Sequence, residues 1–231
     1  MKKRIKNTLH FIDLFAGIGG FRIALESVGA KCVFSSEIDP SASKTYSINF
    51  HEQPSGDITK IDSKQIPVHD ILCAGFPCQP FSIGGYRKGF EDTRGTMFFE
   101  IERILTDKKP KTFILENVMG ILSHDEKNTI NIIRKKLKSI GYDIFEKILD
   151  AKDFGLPQNR RRWFCVGFRK DLDILTFDFP SGTKLTKSVY DLLENDVTGH
   201  DVTKIAAKHI KSHYKKFKKT SQSLTIASEV R

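Results

Sequence analysis

Cys78 lies in the segment Gly75-Phe76-Pro77-Cys78-Gln79-Pro80-Phe81-Ser82, directly after the apolar run Ile71-Leu72-Cys73-Ala74. The two prolines fix φ on either side and bias the preceding residues toward extended backbone, so this loop cannot wind into a helix. A thiol held rigidly at the end of a strand is what a nucleophile requires. A second constellation follows the apolar run Thr112-Phe113-Ile114-Leu115, which ends in Glu116-Asn117-Val118. A third is Gln158-Asn159-Arg160-Arg161-Arg162. In extended backbone Arg160 and Arg162 face one side and Arg161 the other, and a guanidinium pair on one face can hold a carbonyl and a phosphate. The fourth is Asp13-Leu14-Phe15-Ala16-Gly17-Ile18-Gly19-Gly20-Phe21. Here a strand runs into a glycine turn that lets backbone approach a ligand closely. The glycines at 17, 19 and 20 do not make the dinucleotide pattern G-x-G-x-x-G, which disfavours a NAD dehydrogenase. Glu37, at the end of the next strand-like run, suits a ribose diol. Asp57, in Gly56-Asp57-Ile58, could accept from an adenine amino group or could be a plain turn or cap aspartate.

The elements that must position these groups alternate along the chain. His10–Ala16, Cys32–Glu37, Asp70–Ala74, Thr112–Glu116 and Trp163–Phe168 read as strands. Phe21–Val28, Pro40–Asn49, Thr96–Leu105 and Asn128–Ser139 read as helices, the last ending near Gly141 as a cap. Repeated strand–helix alternation predicts an α/β fold, a mostly parallel sheet with helices on both faces. Ligands of such sheets bind beyond the carboxyl ends of the strands. That edge is where the glycine turn, Glu37, Cys78 and Glu116 would all fall. The segment 82–96 contains Gly84, Gly85, Gly89 and Gly95 with Arg87, Lys88 and Arg94, a composition that suits a basic lid.

The 231 residues, 39% hydrophobic and 29% charged, are enough for a core without disulfide staples. Cys32, Cys73 and Cys165 sit in apolar runs and read as small buried hydrophobes. No Cys or His spacing suits zinc, and no metal is expected. The chain has no run long enough to span a bilayer and no signal-peptide pattern, so a cytoplasmic location without membrane attachment is expected. Lys plus Arg number 38 against 28 Asp plus Glu, a net charge of +10 that is compatible with a polyanionic partner. Seven lysines and no acidic residue fall in 204–220, which reads as a solvated face or linker.

These four constellations together resemble the bacterial cytosine-5 DNA methyltransferases of restriction–modification systems. Phe15-Ala16-Gly17-Ile18-Gly19-Gly20 is similar to the cofactor loop, Pro77-Cys78-Gln79 to the nucleophile motif, Glu116-Asn117-Val118 to the ENV motif and Gln158–Arg162 to the QxRxR motif, in the family's order. The likeness runs almost continuously from residue 11 to about residue 179. It implies a Rossmann-like S-adenosylmethionine-dependent methyltransferase with S-adenosylhomocysteine as product and double-stranded DNA as partner. It implies that Cys78 adds to carbon-6 of a flipped-out cytosine and that Glu116 meets ring nitrogen-3. Arg162 would hold the base carbonyl, with Arg160 nearby. Phe15, Gly17, Gly19, Gly20, Glu37, Asp57, Ile58 and Pro77 would contact the cofactor, Phe15 against the adenine and Pro77 near the methionine end.

The resemblance predicts residues 1–180 as the catalytic domain and 181–231 as a linker with the possible start of a target-recognition region. The family's late motif and final helix have no match in this sequence. One expectation is therefore a second chain that supplies the recognition region and that helix. The alternative is a catalytically silent cofactor- or DNA-binding module, and a third class is an RNA-directed relative. Intact Pro77-Cys78-Gln79 and Glu116 favour retained chemistry, and likeness to the restriction-system enzymes favours DNA.

Overall fold

In the computed structural model, the structure describes residues 8–77 and 97–183, together with residues 191, 203, 205, 208, 209 and 212. The chain divides into two compact units, Met1–Lys187 and Ser188–Arg231, and the first carries every element described below. Its strands are β1 (His10–Leu14), β2 (Lys31–Ser36), β3 (Ile71–Gly75), β4 (Thr112–Val118), β5 (Tyr142–Asp150) and β6 (Arg161–Arg169). Its α-helices are α1 (Gly20–Glu26), α2 (Pro40–Phe50), α3 (Met97–Lys108) and α4 (Asn128–Ser139). Among the described residues no helix is long and apolar enough to cross a membrane.

The strands form one six-stranded sheet in the order β2-β1-β3-β4-β6-β5. β2, β1, β3 and β4 pair in parallel, while β6 runs antiparallel to both β4 and β5. Five of the six strands therefore point one way, and the fold is the expected mostly parallel α/β sheet. Period-two alternation sorts the strand residues onto two faces. On one face Ile12, Leu14, Leu72, Ala74, Phe113, Leu115, Trp163 and Cys165 join a core with Phe98, Ile101 and Leu105 of α3 and Ile130, Ile133 and Leu137 of α4. The helical spacings of three and four put each set on one stripe. On the other face Phe11, Cys32, Ile71 and Cys73 pack against Phe21 and Leu25 of α1. Helices thus cover both faces, and Cys32, Cys73 and Cys165 are buried within them as free thiols. Full burial of each large apolar side chain contributes about 1.5–3 kcal/mol, so these two layers are the main stabilising term.

Three features depart from the sequence reading. The nine-residue strand β5 was not foreseen, and the last strand is longer than expected and reversed in direction. The boundaries of β2 place Glu37 one residue past the strand rather than in it. What matters for a ligand site is the break in order at β1 and β3. From β1 the chain moves outward to β2, then crosses back to the opposite side of β1 to make β3. At such a reversal adjacent loops diverge and leave a crevice at the carboxyl edge. The glycine turn after β1 and the Phe76-Pro77 segment after β3 bound it.

Candidate active site

β1 ends at Leu14, and Phe15 already has φ +55°, followed by Gly17 at φ +56° and Gly19 at φ +96°. Left-handed backbone at a phenylalanine is uncommon and costly, and here it turns the chain sharply off the sheet edge. The turn is held from below. Ala16 donates its amide to the Ser36 carbonyl at 2.9 Å, and Gly17 donates its amide to Oε2 of Glu37 at 2.7 Å. The other Glu37 oxygen accepts the Asp39 amide at 2.8 Å. Glu37 therefore ties the ends of β1 and β2 together, and each oxygen keeps lone-pair capacity for a further donor.

The fit of a nucleoside-bearing cofactor to this edge can be judged from space and from orphaned groups. No heavy atom lies within 4 Å of where a Cβ would stand on Gly17 or Gly20, so the turn is open on its outer side. Beneath it, both carboxyl oxygens of Asp13 and the hydroxyl of Ser36 are buried without a hydrogen-bond partner. Backbone amides, a carboxylate and open space are the donor set an adenosyl group requires. Phe15 is half-buried and packs its ring against the main core. Asp57 caps a 3-10 turn at Ile58–Lys60, accepting the Thr59 amide at 3.0 Å and the Thr59 hydroxyl at 2.7 Å on the same Oδ1. These bonds and the Lys60 charge hold its pKa below the ordinary aspartate value. The capping alternative raised for Asp57 is the arrangement observed, and Oδ2 stands 3.7 Å from Nζ of Lys60. Ile58 is buried in the main core. An open cleft of about 550 Å3 borders this end, lined by Glu37, Ile38, Pro40, Ser43, Gln53 and Gly56 among others. It meets the candidate cofactor edge through Glu37 and does not include Phe15, Gly17 or Glu116.

Gly19 has no room for a side chain, since a Cβ would stand 2.1 Å from the Phe50 ring. That ring is pinned by Tyr46 at 4.6 Å between centroids and by the Arg22 guanidinium at 4.5 Å. Gly19→Ala combines this overlap with an unfavourable φ, and a loss on the order of 2–4 kcal/mol is expected. Urea unfolding of the two proteins measures it, and an unchanged midpoint would contradict the described packing.

At the other end of the crevice, Gly75 of β3 pairs with Glu116 of β4. A Cβ on Gly75 would lie 3.3 Å from Oε2 of Glu116, so the absent side chain gives the carboxyl its place. Oε1 of Glu116 meets Nε of Arg162 at 3.0 Å, with the two side chains 25% and 22% exposed. Strand pairing sets this contact. Val118 lies opposite Arg162 and Glu116 opposite Phe164, which makes Glu116 and Arg162 diagonal neighbours on one face. Burial raises the Glu116 pKa above the usual glutamate value, outweighing Arg162 and Arg160, whose charges lower it. Arg161 turns to the opposite side, 3.5 Å from Asp150 and mostly exposed. Arg160 is exposed and donates its amide to Oδ1 of Asp150 at 2.8 Å.

Asn117 has a part that residue type alone did not disclose. It is buried, donates Nδ2 to the Phe76 carbonyl at 2.9 Å and accepts the Val118 amide at 2.8 Å. It thereby fixes the chain one residue before the exposed Pro77. Cys78 and the basic segment 82–96 lie outside the described residues, as does most of the lysine-rich stretch. Asn117→Ala leaves a buried carbonyl and a backbone amide unpartnered, each at about 1–3 kcal/mol. A melting point lower by several degrees is expected by calorimetry, and a gain in stability would contradict this bonding.

The structure thus gathers Phe15, Gly17, Gly19, Gly20 and Glu37 at one end of the crevice, with Glu116 and Arg162 at the other and Pro77 between their strands. It leaves Asp57 engaged as a cap and Arg160 at the surface. Comparison with known proteins gives the same direction. A family model described as C-5 cytosine-specific DNA methylase matches residues 9–231. Type II methyltransferase M.HhaI of Haemophilus parahaemolyticus is 53% identical over 188 residues, covering 81% of this chain and 58% of that protein. Type II methyltransferase M.MspI of Moraxella sp. is 48% identical over 214 residues, covering 92% of this chain and 50% of that protein. The chain spans about half the length of these relatives. The S. pombe Dnmt2 methyltransferase structure superposes with a TM-score of 0.70 at 24% identity, over 88% of this chain and 67% of that one, a likeness of fold.

Proposed function

Because the chain belongs to the C-5 cytosine-specific DNA methylase family, we propose that it carries the catalytic half of a DNA (cytosine-5) methyltransferase that uses S-adenosylmethionine. The observation that carries this reading is the Glu116 carboxyl, its pKa raised by burial, seated over Gly75 beside Arg162. The residues that would hold the donor are those of the glycine turn with Glu37, whose free lone pairs suit the ribose hydroxyls. Ile58 and Pro77 would flank it and Phe15 would lie against the adenine. Asp57 can take an adenine amino group only through Oδ2. When bound, the donor supplies an electrophilic methyl group on a sulfonium.

The reaction on the base follows from the chain's own groups. Cytosine carbon-5 is too electron-poor to attack that methyl group unaided. The Cys78 thiolate adds to carbon-6, and the displaced electron pair moves toward nitrogen-3. Glu116 delivers its proton there, so that no full negative charge develops in the buried pocket. Arg162 holds the carboxyl in place and offers its remaining N–H groups to the base carbonyl, while Arg160 stands at the surface where a flanking phosphate would pass. Carbon-5, now enamine-like, takes the methyl group. Solvent takes the carbon-5 proton, the thiolate departs and nitrogen-3 returns its proton to Glu116, which restores the ring. Asn117 positions the segment before the thiol through the Phe76 carbonyl. A stacked base cannot reach this edge, so the target cytosine must rotate out of the duplex.

We further infer that residues 181–231 are a linker that leads into the start of a recognition region, and that the protein works in the cytoplasm. The test is direct. The chain, alone and with a candidate partner, is incubated with duplex DNA and labelled donor, and the nucleosides are resolved by mass spectrometry. Label in 5-methylcytosine is expected. Label in N6-methyladenine or N4-methylcytosine instead would overturn the assignment, and donor bound without transfer in either mixture would favour the silent-module alternative.

A further inference from the structure

We propose that Arg103 is a positioning residue of the donor site, holding the turn that carries Asp57 and Ile58 in the orientation that lets Asp57 tell adenine from another purine. The inference rests on the reading that places Asp57 and Ile58 beside the donor's adenine. Arg103 lies on α3, and its Nη2 donates to the Ile58 carbonyl at 3.2 Å and to the Ile61 carbonyl at 3.1 Å, 45 and 42 residues back in the chain. Glu100, one turn earlier on the helix, holds the guanidinium for this, its Oε2 accepting Nε at 2.8 Å and Nη2 at 2.6 Å. An exposed ion pair of this spacing is worth little by itself. Here the two side chains are only 31% and 18% exposed, and the guanidinium reaches beyond its own helix.

The turn needs such an anchor. Its own bonds, from the Lys60 amide to the Asp57 carbonyl at 3.1 Å and from the Ile61 amide to the Ile58 carbonyl at 3.3 Å, set its shape and attach it to nothing else. Ile58 is buried in the main core and Ile61 packs against it. Apolar packing is non-directional, so it fixes the depth of the turn better than its orientation. A planar guanidinium on the carbonyls of Ile58 and Ile61 supplies direction, and charge-assisted bonds are roughly twice as strong as neutral ones. Asp57 immediately precedes the first of those carbonyls. Thr59 already donates twice to Oδ1, so an amino group has Oδ2 to bond to, and a small rotation of the turn would carry that oxygen away. A second tie joins the same stretch to α3 further along. The hydroxyl of Ser63, in the 3-10 turn Ser63–Gln65, donates to Oδ2 of Asp107 at 2.6 Å. It anchors the segment without touching the turn at Asp57.

Adenine presents an amino donor where hypoxanthine presents a carbonyl acceptor. A carboxylate oxygen fixed at that place accepts from the first and is repelled by the second. A site built to bond an N–H group strongly rejects the analogue that lacks it, because the site's own group is then left unpaired. The Thr59 bonds and the Lys60 charge hold the Asp57 pKa below the ordinary value, so the group is a carboxylate at neutral pH. The preference for adenine over hypoxanthine therefore reads the position of Oδ2. General loosening of the fold weakens both ligands alike and leaves their ratio unmoved.

Isothermal titration of the full chain at neutral pH, with S-adenosylhomocysteine and with S-inosylhomocysteine, tests this. The native chain is expected to favour the adenosyl ligand by about tenfold or more, the worth of a hydrogen bond to a charged group. Arg103→Met keeps most of the apolar stem, removes both carbonyl bonds and brings that preference to within about threefold, through loss on the adenosyl side. Arg103→Lys, which returns a donor without the planar fork, recovers part of it. Asp107→Ala lowers the melting point and leaves the preference at its native value. Retention of the native preference in Arg103→Met overturns the proposal, and so does equal weakening of both ligands there or a similar loss of preference in Asp107→Ala. If Arg103→Met does not fold, Arg103→Lys decides alone, and a preference equal to the native one overturns the proposal. A native chain that binds both ligands equally removes Asp57 from the adenine and the proposal with it, whereas a native chain that binds neither overturns the donor assignment itself.

Discussion

Cys78→Ser is expected to bring methyl transfer down to background, a loss of at least about a thousandfold, with donor affinity within about twofold of the native chain. A serine hydroxyl has almost no anionic form at neutral pH, whereas a thiol has a few per cent even without help. The exchange removes one sulfur and leaves the folded surroundings intact. Phe76 stays held by Asn117 at 2.9 Å, and the glycine turn stays anchored to Glu37 at 2.7 Å, so the donor's contacts survive. Single-turnover transfer together with equilibrium dialysis of donor checks both halves. Retention of transfer would show that carbon-6 is attacked by another group, and joint loss of transfer and donor binding would show that Cys78 belongs to the donor pocket.

Glu116→Gln should lower the transfer rate by about two to four orders of magnitude, the usual worth of a positioned acid. The amide keeps the size and one hydrogen-bonding oxygen, so the contact with Arg162 persists in weakened form. What it lacks is a transferable proton. The native pKa is raised by burial, so the acid form survives to higher pH than an ordinary glutamate and is lost as pH rises through that value. The native rate should therefore fall on the alkaline side of this pKa, and the variant should lose that limb. A variant rate within tenfold of native, or an unaltered pH profile, would contradict the role given to Glu116.

Much of this organisation can be read from residue order, and what cannot has physical reasons. The parallel core strands β1 and β3 are buried on both faces and β4 is buried on one and half-buried on the other, so they stand out as apolar runs between turn residues. β5 escaped notice because it is an edge strand that carries Asp143, Glu146 and Lys147 among its apolar residues. Glu146 meets Arg134 at 2.8 Å and Trp163 at 3.2 Å, contacts made only after the chain has folded. The direction of β6 follows from that unseen neighbour. At the site, Cys78, Glu116 and the glycine turn are visible because their types are unusual at strand ends. Gly75 and Asn117 are not, since one acts by lacking a side chain and the other through a carbonyl in another strand's loop.

The central claim is that Cys78 bonds covalently to carbon-6 of the target base. DNA with 5-fluorocytosine at the target position tests it most directly, because fluorine cannot leave as a proton does and the adduct cannot resolve. With donor present, the account predicts a denaturation-resistant protein–DNA complex whose modified peptide carries the nucleotide on Cys78. A complex that persists in Cys78→Ser, or methylated base with no adduct at all, would contradict it.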